Sequence, residues 1–254
     1  DRPSRRAEAL TALRAGLDAG MTLIDTAEMY GDGASEELVG EAVAGRRDAV
    51  FLVSKVYPHN AGRRSAIEAC ERSLRRLKTD RLDLYLLHWR GSIPLAETID
   101  AFEQLKAEGK IRHWGVSNFD RDDMEELIGE GGDAVAVNQV LYNCSRRGIE
   151  FDLMPWQAER GIPIMAYSPI EQGSLPRHSA LRAVAARHPG ATAAQVALAF
   201  TLRRGNVVAI PQMATLAHVA ENRPAAELRL SPEDLAEIDR AFPPPTRRRS
   251  LEML

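Results

Sequence analysis

Four side chains of different chemistry lie at or just beyond the ends of consecutive apolar runs in the sequence. Asp25 lies near the end of the first run and Tyr30 just beyond it, Lys55 follows the second and His88 ends the third. Parallel strands present their carboxyl ends to one active site, so an acid, a phenol, an ammonium and an imidazole in these places can converge. Each residue alone also has a structural interpretation, as a turn cap, a half-exposed ring, a surface cation or a core histidine.

The chemistry that suits these four groups is proton donation to a carbonyl oxygen. A phenol has a pKa of roughly 10 and is a poor acid at neutral pH. A nearby ammonium favours the phenolate, and a carboxylate keeps that ammonium charged and in place. The imidazole can hold the carbonyl oxygen, whereas the hydride that reduction needs has to come from a cofactor.

Seven apolar, β-branched runs alternate with stretches of helical periodicity. The runs cover residues 22–26, 50–54, 82–88, 113–117, 134–140, 162–168 and 207–211. This alternation indicates an α/β protein with a parallel sheet, either open and doubly wound or closed into a (β/α)8 TIM barrel. The chain begins with a predicted helix at about residues 4–19, so a barrel would lack its first strand here. No linker divides the chain, which predicts a single domain over residues 1–254.

Local signals mark individual helices. Residues 63–78 carry one apolar stripe among charged residues, which places Cys70 on a buried face as a structural thiol. Residues 94–109 form a second such helix, with Pro94 in its first turn. Three further helices have N-cap candidates: Asp120, Thr192 with a capping-box partner at Gln195, and Ser231.

Composition and charge exclude several classes of protein. The chain has 254 residues, 44% of them hydrophobic, and a net charge of −3, which argues against a nucleic-acid-binding surface. No apolar run approaches the roughly 18 residues of a membrane span, and the first residues lack a signal-peptide core. Two cysteines without a CxxC pair predict a reducing, cytoplasmic setting, and the scattered histidines give no support for a metal site.

One glycine-rich segment resembles the start of a dinucleotide-binding loop only superficially. Gly31-Asp32-Gly33 follows a predicted strand and precedes a helix, but Glu36 stands where the third glycine is required. An acidic side chain there would face the pyrophosphate, so the segment predicts a turn rather than a Rossmann loop.

Ordered motifs along most of the chain resemble those of the aldo-keto reductases. They are GMTLIDTAEMYG at 20–31, SK at 54–55, LLHW at 86–89, GKIRHWGVSNF at 109–119, AYSP at 166–169, IP at 210–211 and EN at 221–222. The resemblance extends from about residue 7 to the end of the chain. It implies a (β/α)8 barrel that binds a nicotinamide cofactor across its C-terminal face without a Rossmann domain.

The resemblance implies a role for each of the four polar residues. Tyr30 would be the general acid and Lys55 the cation that tunes it. Asp25 would be the partner of that lysine, and His88 would orient the carbonyl. The residues implied in walling the substrate pocket are Met29, Tyr57 and Trp89, with a packing role for Met29 as an equal alternative.

The resemblance also implies a cofactor-binding set. Ser117, Asn118 and Gln139 would hold the carboxamide, Tyr167 would stack on the nicotinamide, and the segment 168–173 would cover the pyrophosphate. The remaining implied residues of the set are Ser168, Pro169, Ile170, Gln172, Gly173, Ile210, Pro211, Gln212, Met213, His218, Glu221 and Asn222.

The sequence departs from the family pattern at its start, where the usual N-terminal hairpin and first barrel strand are missing from this sequence, and at the end that would hold the 2′-phosphate of NADPH. In the family, a lysine and a serine or similar residue follow the strand-end Ile-Pro, and an arginine comes later. Here Gln212 and Met213 follow, and His218 takes the place of the arginine, although Arg223 lies close enough in sequence to substitute. Neutral donors bind a dianion less strongly than charged ones. The interpretation is use of both NADPH and NADH, with NADPH modestly preferred and more so as the pH falls and a histidine gains charge.

The leading hypothesis is an NAD(P)H-dependent aldo-keto reductase that reduces aldehydes or ketones to alcohols. The alternative is a non-catalytic, nicotinamide-binding regulatory protein on the same barrel. A phosphate-binding lyase or isomerase would leave the carboxamide-holding trio unexplained. The expected partner is a small-molecule carbonyl substrate, with the chain a monomer and without nucleic-acid or membrane partners. The short tail at residues 246–254 predicts an open site that accepts varied small carbonyls.

Overall fold

The computed structural model describes residues 2–254, which separate into two compact units. Unit 1 comprises the described residues up to Asn138 with Ala214–Leu216, and unit 2 comprises Gln139–Met213 with Ala217–Leu254. Each of the seven apolar runs overlaps a strand in the described residues, as predicted. The elements up to the start of unit 2 are α1 Arg2–Asp18, β1 Leu23–Asp25, α2 Ala34–Ala42, β2 Phe51–Val56, α3 Ser65–Leu77, β3 Leu82–Leu87, α4 Leu95–Ala107, β4 Ile111–Ser117 and α5 Arg121–Gly129. The later elements are β5 Asn138–Leu141, α6 Leu153–Glu159, β6 Ile164–Tyr167, α7 Ser179–Ala185, α8 Ala193–Leu202, β7 Val207–Ile210, α9 Leu216–Asn222 and α10 Pro232–Ala241.

Unit 1 contains a parallel sheet in which β1 to β4 follow one another in sequence order. In the register of these strands, Asp25 lies opposite Val53, and Lys55 lies opposite Leu86. All six residues of β3 are buried because helices cover the sheet, and its one carboxylate, Asp83, is paired with Arg47 and Arg112. The shared direction brings the carboxyl ends of the four strands to one edge, and Lys55 lies one residue before the end of its strand.

Helix α3 packs on the apolar face that its periodicity predicts. Cys70, Leu74 and Leu77 are buried, which confirms the predicted buried face, and burial raises the pKa of the Cys70 thiol to about 12, as is typical of a structural cysteine. Helix α2 approaches α3 closely at Gly40, where a Cβ would lie 2.6 Å from the Leu77 carbonyl oxygen. A side chain at position 40 would therefore force the two helices apart.

The predicted caps are present in both units. Asp120 and Thr192 each accept a hydrogen bond from the backbone N–H three residues later, and each is part of a capping box. Ser231 does the same at the start of α10 with Asp234 as its partner. The prediction for Pro94 was off by one position, since it is the N-cap of α4 rather than a residue of its first turn.

In unit 2, β6 and β7 pair in parallel with Ala166 opposite Ala209. The short tail is anchored to this unit, because Arg248 pairs with Asp152 and the Leu254 N–H donates to the Tyr167 hydroxyl at 3.4 Å. No helix of the described residues combines the length and apolarity needed to cross a bilayer.

Candidate active site

The Lys55 ammonium is the centre of the polar cluster in unit 1. Its side chain is wholly buried, and Nζ donates to Asp25 Oδ2 at 2.5 Å, to the Thr26 carbonyl at 2.9 Å and to Tyr30 Oη at 3.3 Å. An ammonium has three N–H donors, and here each one has a partner. A buried cation needs such hydrogen-bond partners to compensate for the loss of water. Because there are three of them, they also fix the position of the ammonium.

A tight turn after β1 presents Tyr30 to solvent. Gly31, Asp32 and Gly33 all have positive φ angles, of 61°, 51° and 92°, so the turn prediction for this segment is confirmed. The Ser35 N–H donates to the Tyr30 carbonyl at 3.2 Å, which ties the turn to the start of α2. The Tyr30 side chain is 36% exposed while its hydroxyl contacts the buried ammonium. The phenol therefore contacts the buried Lys55 ammonium and is at the same time accessible to solvent.

His88 directly follows β3 and is buried beside this cluster. Its ring lies edge-on to the Tyr30 ring, with 5.8 Å between centroids. Burial, with a smaller contribution from the Lys55 charge, lowers the pKa of His88 to about 3. The imidazole is therefore neutral near pH 7. Its buried Nδ1 has no hydrogen-bond partner, which leaves one ring nitrogen without a role in holding the fold.

An aromatic rim continues from this cluster along the loops after β2 and β3. The Trp89 ring lies 4.9 Å from that of His88, and the Tyr57 ring meets Trp89 edge-on at 5.9 Å. Met29 is 37% exposed next to Tyr30. The three residues predicted to wall the substrate pocket therefore lie on the segments that directly follow strands β1, β2 and β3, next to the four polar groups.

Two of the predicted cofactor residues also belong to unit 1. Ser117 ends β4 and is buried, and Asn118 follows it in the left-handed region with φ 58°. The Asn118 amide donates to the His88 carbonyl at 3.1 Å and to Ser117 Oγ at 3.3 Å. A non-glycine residue in this conformation is costly, and such positions concentrate at ligand sites.

The other predicted cofactor residues lie in unit 2. Gln139 is buried on β5, and Tyr167 ends β6. The segment 168–173, which includes the predicted Ser168, Pro169, Ile170, Gln172 and Gly173, is held by the Asn143 amide, which donates to the Ser168 carbonyl at 2.9 Å and to Glu171 Oε2 at 2.7 Å. Ser168, Glu171 and Gln172 all adopt positive φ angles near 50°, so this loop keeps an unusual backbone shape.

The residues predicted at the adenine end surround the end of β7 and helix α9. Ile210 is the last residue of β7, Pro211 and Met213 are half-buried, and Gln212 and His218 are exposed. Gln195 donates to the Glu221 carbonyl at 2.9 Å, and Asn222 is buried at the end of α9. Arg223, the possible substitute cation, pairs with Glu227 at 2.5 Å.

Sequence reasoning missed two buried carboxylates that hold the segments next to Tyr30 and Lys55 in place. Glu36 accepts from Ser54 Oγ at 2.5 Å and from Arg76 Nε at 2.6 Å, which ties the helix after the Tyr30 turn to the strand that carries Lys55. Glu28 accepts from the Tyr57 N–H. The motif resemblance included Glu28, but no periodicity distinguishes a buried carboxylate from a surface one.

Comparisons with known proteins agree with this arrangement. The model described as the Aldo/keto reductase family matches residues 1–242. Methylglyoxal reductase YeaE of Escherichia coli (strain K12) is 52% identical over 99% of this chain and 90% of its own length. Glyoxal reductase of Bacillus subtilis (strain 168) is 36% identical over 91% of this chain and 83% of its own length. A crystal structure of an aldo/keto reductase from Klebsiella pneumoniae in complex with NADP and acetate superimposes with a TM-score of 0.97, at 51% identity, over 99% of this chain and 90% of that one.

This chain belongs to the aldo/keto reductase family and is an enzyme of that class. Its fold class is the (β/α)8 TIM barrel, which was one of the two folds that the alternation of runs allowed and the one that the resemblance implied, and seven of the parallel strands lie within the described residues. The prediction of an oxidoreductase is thereby confirmed.

Proposed function

We propose that this protein reduces small aldehydes and 2-oxoaldehydes to alcohols with NADPH as the hydride source. The observation that carries the proposal is the buried Lys55 ammonium, held at 2.5 Å by Asp25 and at 3.3 Å from the hydroxyl of the exposed Tyr30. A relative with 52% identity is named for methylglyoxal, and another with 36% identity for glyoxal. Both names describe compact dicarbonyl compounds.

Tyr30 is the proton donor in this proposal. Its hydroxyl delivers a proton to the carbonyl oxygen as that oxygen gains negative charge. The Lys55 ammonium stabilises the phenolate left behind, and Asp25 keeps the ammonium charged and aimed. Neutral His88 donates a hydrogen bond to the same carbonyl oxygen and orients it, since an uncharged ring with pKa about 3 keeps this role across neutral pH.

The residues present fit a nicotinamide cofactor, which when bound supplies the hydride that no side chain can provide. In unit 1, Ser117 and Asn118 would hold the carboxamide. In unit 2, Gln139 would do the same, the Tyr167 ring would stack on the nicotinamide, and the segment 168–173 would cover the pyrophosphate. Its three left-handed non-glycine residues support this, because such a backbone persists where surrounding contacts hold a ligand-binding shape.

The cofactor preference in this proposal is dual use with NADPH modestly favoured. Gln212 and His218 are exposed and carry no permanent positive charge, and Arg223 is already paired with Glu227. Two neighbouring structures from Klebsiella pneumoniae contain NADP and NADPH. Measuring KM for NADH and NADPH at two pH values tests the proposal, and a thousandfold preference for NADPH at both would contradict it.

The activity is tested by following NADPH oxidation with methylglyoxal, glyoxal and a panel of larger aldehydes. We expect turnover of the small dicarbonyls, and loss of turnover with unchanged NADPH binding in the Tyr30→Phe variant. If no carbonyl is reduced while NADPH still binds, the protein would be a nicotinamide-binding regulator rather than a reductase.

A further inference from the structure

Glu28 is a buried carboxylate between Asp25 and Tyr30, and the catalytic roles above do not use it. It is 7% exposed, and its Oε1 accepts from the Tyr57 N–H at 2.8 Å and from the Asn60 amide at 3.1 Å. Its own N–H donates to the Lys55 carbonyl at 3.3 Å. One residue therefore binds both ends of the segment that leads from Lys55 to Tyr57.

Because Glu28 is a carboxylate, these hydrogen bonds are stronger than those between neutral groups in an ordinary turn. The nearest cation in an ion pair with it is Arg72, whose guanidinium lies 4.0 Å from Oε2, so the backbone N–H and the Asn60 amide provide the direct compensation. Burying a carboxylate without them would be strongly unfavourable.

The contacts of Glu28 close a ring of side chains around the exposed Tyr30. Tyr30 meets His88 edge-on, His88 packs on Trp89, and Trp89 meets Tyr57 edge-on. Tyr57 is bound through its backbone to Glu28, which lies two residues before Tyr30 in the chain. The far side of the rim is thus held at a set distance from the proton donor.

We propose that Glu28 is a specificity-determining positioning residue that sets the width of the aromatic rim through Tyr57. The rim then admits a carbonyl compound according to the size of the group attached to its carbonyl carbon, with compact 2-oxoaldehydes favoured over bulky aromatic aldehydes. This inference rests on the proposed carbonyl reduction.

If Glu28 had a purely structural role, its replacement would destabilise the protein and lower the activity toward every substrate by the same factor. The positioning role instead changes the activity toward one substrate relative to another. The measured quantity is therefore the ratio of kcat/KM for methylglyoxal to kcat/KM for a bulky aromatic aldehyde. Glu28→Asp keeps the charge but shortens the side chain by one methylene, so it cannot keep both partners. Glu28→Gln keeps the reach and one oxygen acceptor.

We expect Glu28→Asp and Glu28→Ala to lower the ratio by about tenfold, mainly through KM, as discrimination by pocket shape commonly does. Glu28→Gln should keep the ratio within about threefold of the parent enzyme. The matched control is Glu97→Asp, because the Glu97 carboxylate also accepts from a backbone N–H, that of Arg63, at 3.3 Å but forms no hydrogen bond to the rim among the described residues. It should leave the ratio unchanged.

Thermal unfolding and NADPH affinity, measured on the same variants, separate folding from selectivity. If Glu28→Ala does not fold, Glu28→Asp alone decides the question. An unchanged ratio in a folded Glu28→Asp variant would overturn the inference and leave the proposed reduction intact. Absence of turnover by the parent enzyme with every carbonyl would overturn both.

Discussion

Two tyrosines of this enzyme lie beside a cation and a carboxylate, one in each unit, and their surroundings differ in what they leave available. Tyr30 contacts Lys55, which is held by Asp25. Tyr142 donates to Glu150 at 2.5 Å and accepts from the Arg203 guanidinium at 2.7 Å. The two clusters contain the same types of chemical group. They differ in the solvent exposure of the phenol and in how many of their polar atoms have hydrogen-bond partners.

The Tyr142 cluster satisfies its polar atoms within the protein. Glu150 also receives two hydrogen bonds from Arg147, and the Arg203 guanidinium stacks on Phe200 at 3.6 Å from the ring centroid. Tyr142 is wholly buried, and burial raises the pKa of its phenol well above the usual value, against the nearby Arg203 charge. Such a closed network stabilises the fold and offers nothing to a ligand.

In the Tyr30 cluster, the buried cation has all its hydrogen-bond partners, but the groups that face outward do not. Its cation is wholly buried, but the Tyr30 phenol is 36% exposed and His88 Nδ1 has no partner. Comparison of the two clusters indicates that a buried ion pair by itself does not mark a reactive site. Under the proposed function, the Tyr30 cluster is distinguished by an ion pair that ends in an accessible group.

The largest expected effect is that of Tyr30→Phe. Loss of the proton donor should lower kcat/KM for carbonyl reduction by about 10²–10⁴, while the melting temperature and NADPH binding change little. Steady-state assays with methylglyoxal and fluorescence titration with NADPH measure the two quantities. Activity within a few-fold of the parent enzyme would show that Tyr30 is not the acid.

Lys55→Met should reduce activity by a comparable factor and also destabilise the protein. Removing one member of a buried pair leaves the Asp25 charge uncompensated, which costs about 3–5 kcal/mol. Arg203→Met is the matched control, since it breaks the other cluster and should lower the free energy of unfolding without lowering kcat. Urea unfolding and kcat of the folded fraction distinguish the two. A Lys55→Met variant with normal kcat would assign that residue to stability alone.

Tyr142→Phe tests whether the closed cluster of unit 2 contributes to stability and not to activity. It removes a hydroxyl from a closed network and leaves Glu150 and Arg203 with one partner fewer, so the free energy of unfolding should fall by about 1–3 kcal/mol. Activity per folded molecule should stay within twofold of the parent enzyme. A large loss of kcat without a loss of stability would mean that the two clusters are not functionally distinct.

The smallest expected effect is a pH dependence of stability that His88 contributes. The pKa of His88 is about 3 in the folded protein and about 6.5 in an unfolded chain, so between these values the unfolded state binds an extra proton. This contribution to stability is complete above pH 6.5 and is lost progressively as the pH falls toward 3. Urea unfolding at pH 7 and pH 5 should show a smaller loss for His88→Asn than for the parent enzyme. Equal losses would contradict the assignment.

The sequence predicted the elements well because their signals are local. A helical stripe identifies α3, and the caps at Asp120, Thr192 and Ser231 each involve a partner three residues away. Strand ends are less certain, as β5 shows, because its predicted start at Ala134 precedes the observed start at Asn138. Apolar residues that lead into a strand and those within it look alike in sequence.

The amino-acid sequence alone determined the alternation of strands and helices, and it identified the four polar residues that follow or end them. Only the tertiary structure decided that Lys55 is wholly buried and that Glu28 binds the Tyr57 backbone. The same holds for Glu150, which lies 53 residues from its partner Arg203 in the chain. Helix periodicity and capping depend on neighbours within one or two turns, whereas these contacts depend on strand register and helix packing, which many distant residues set together.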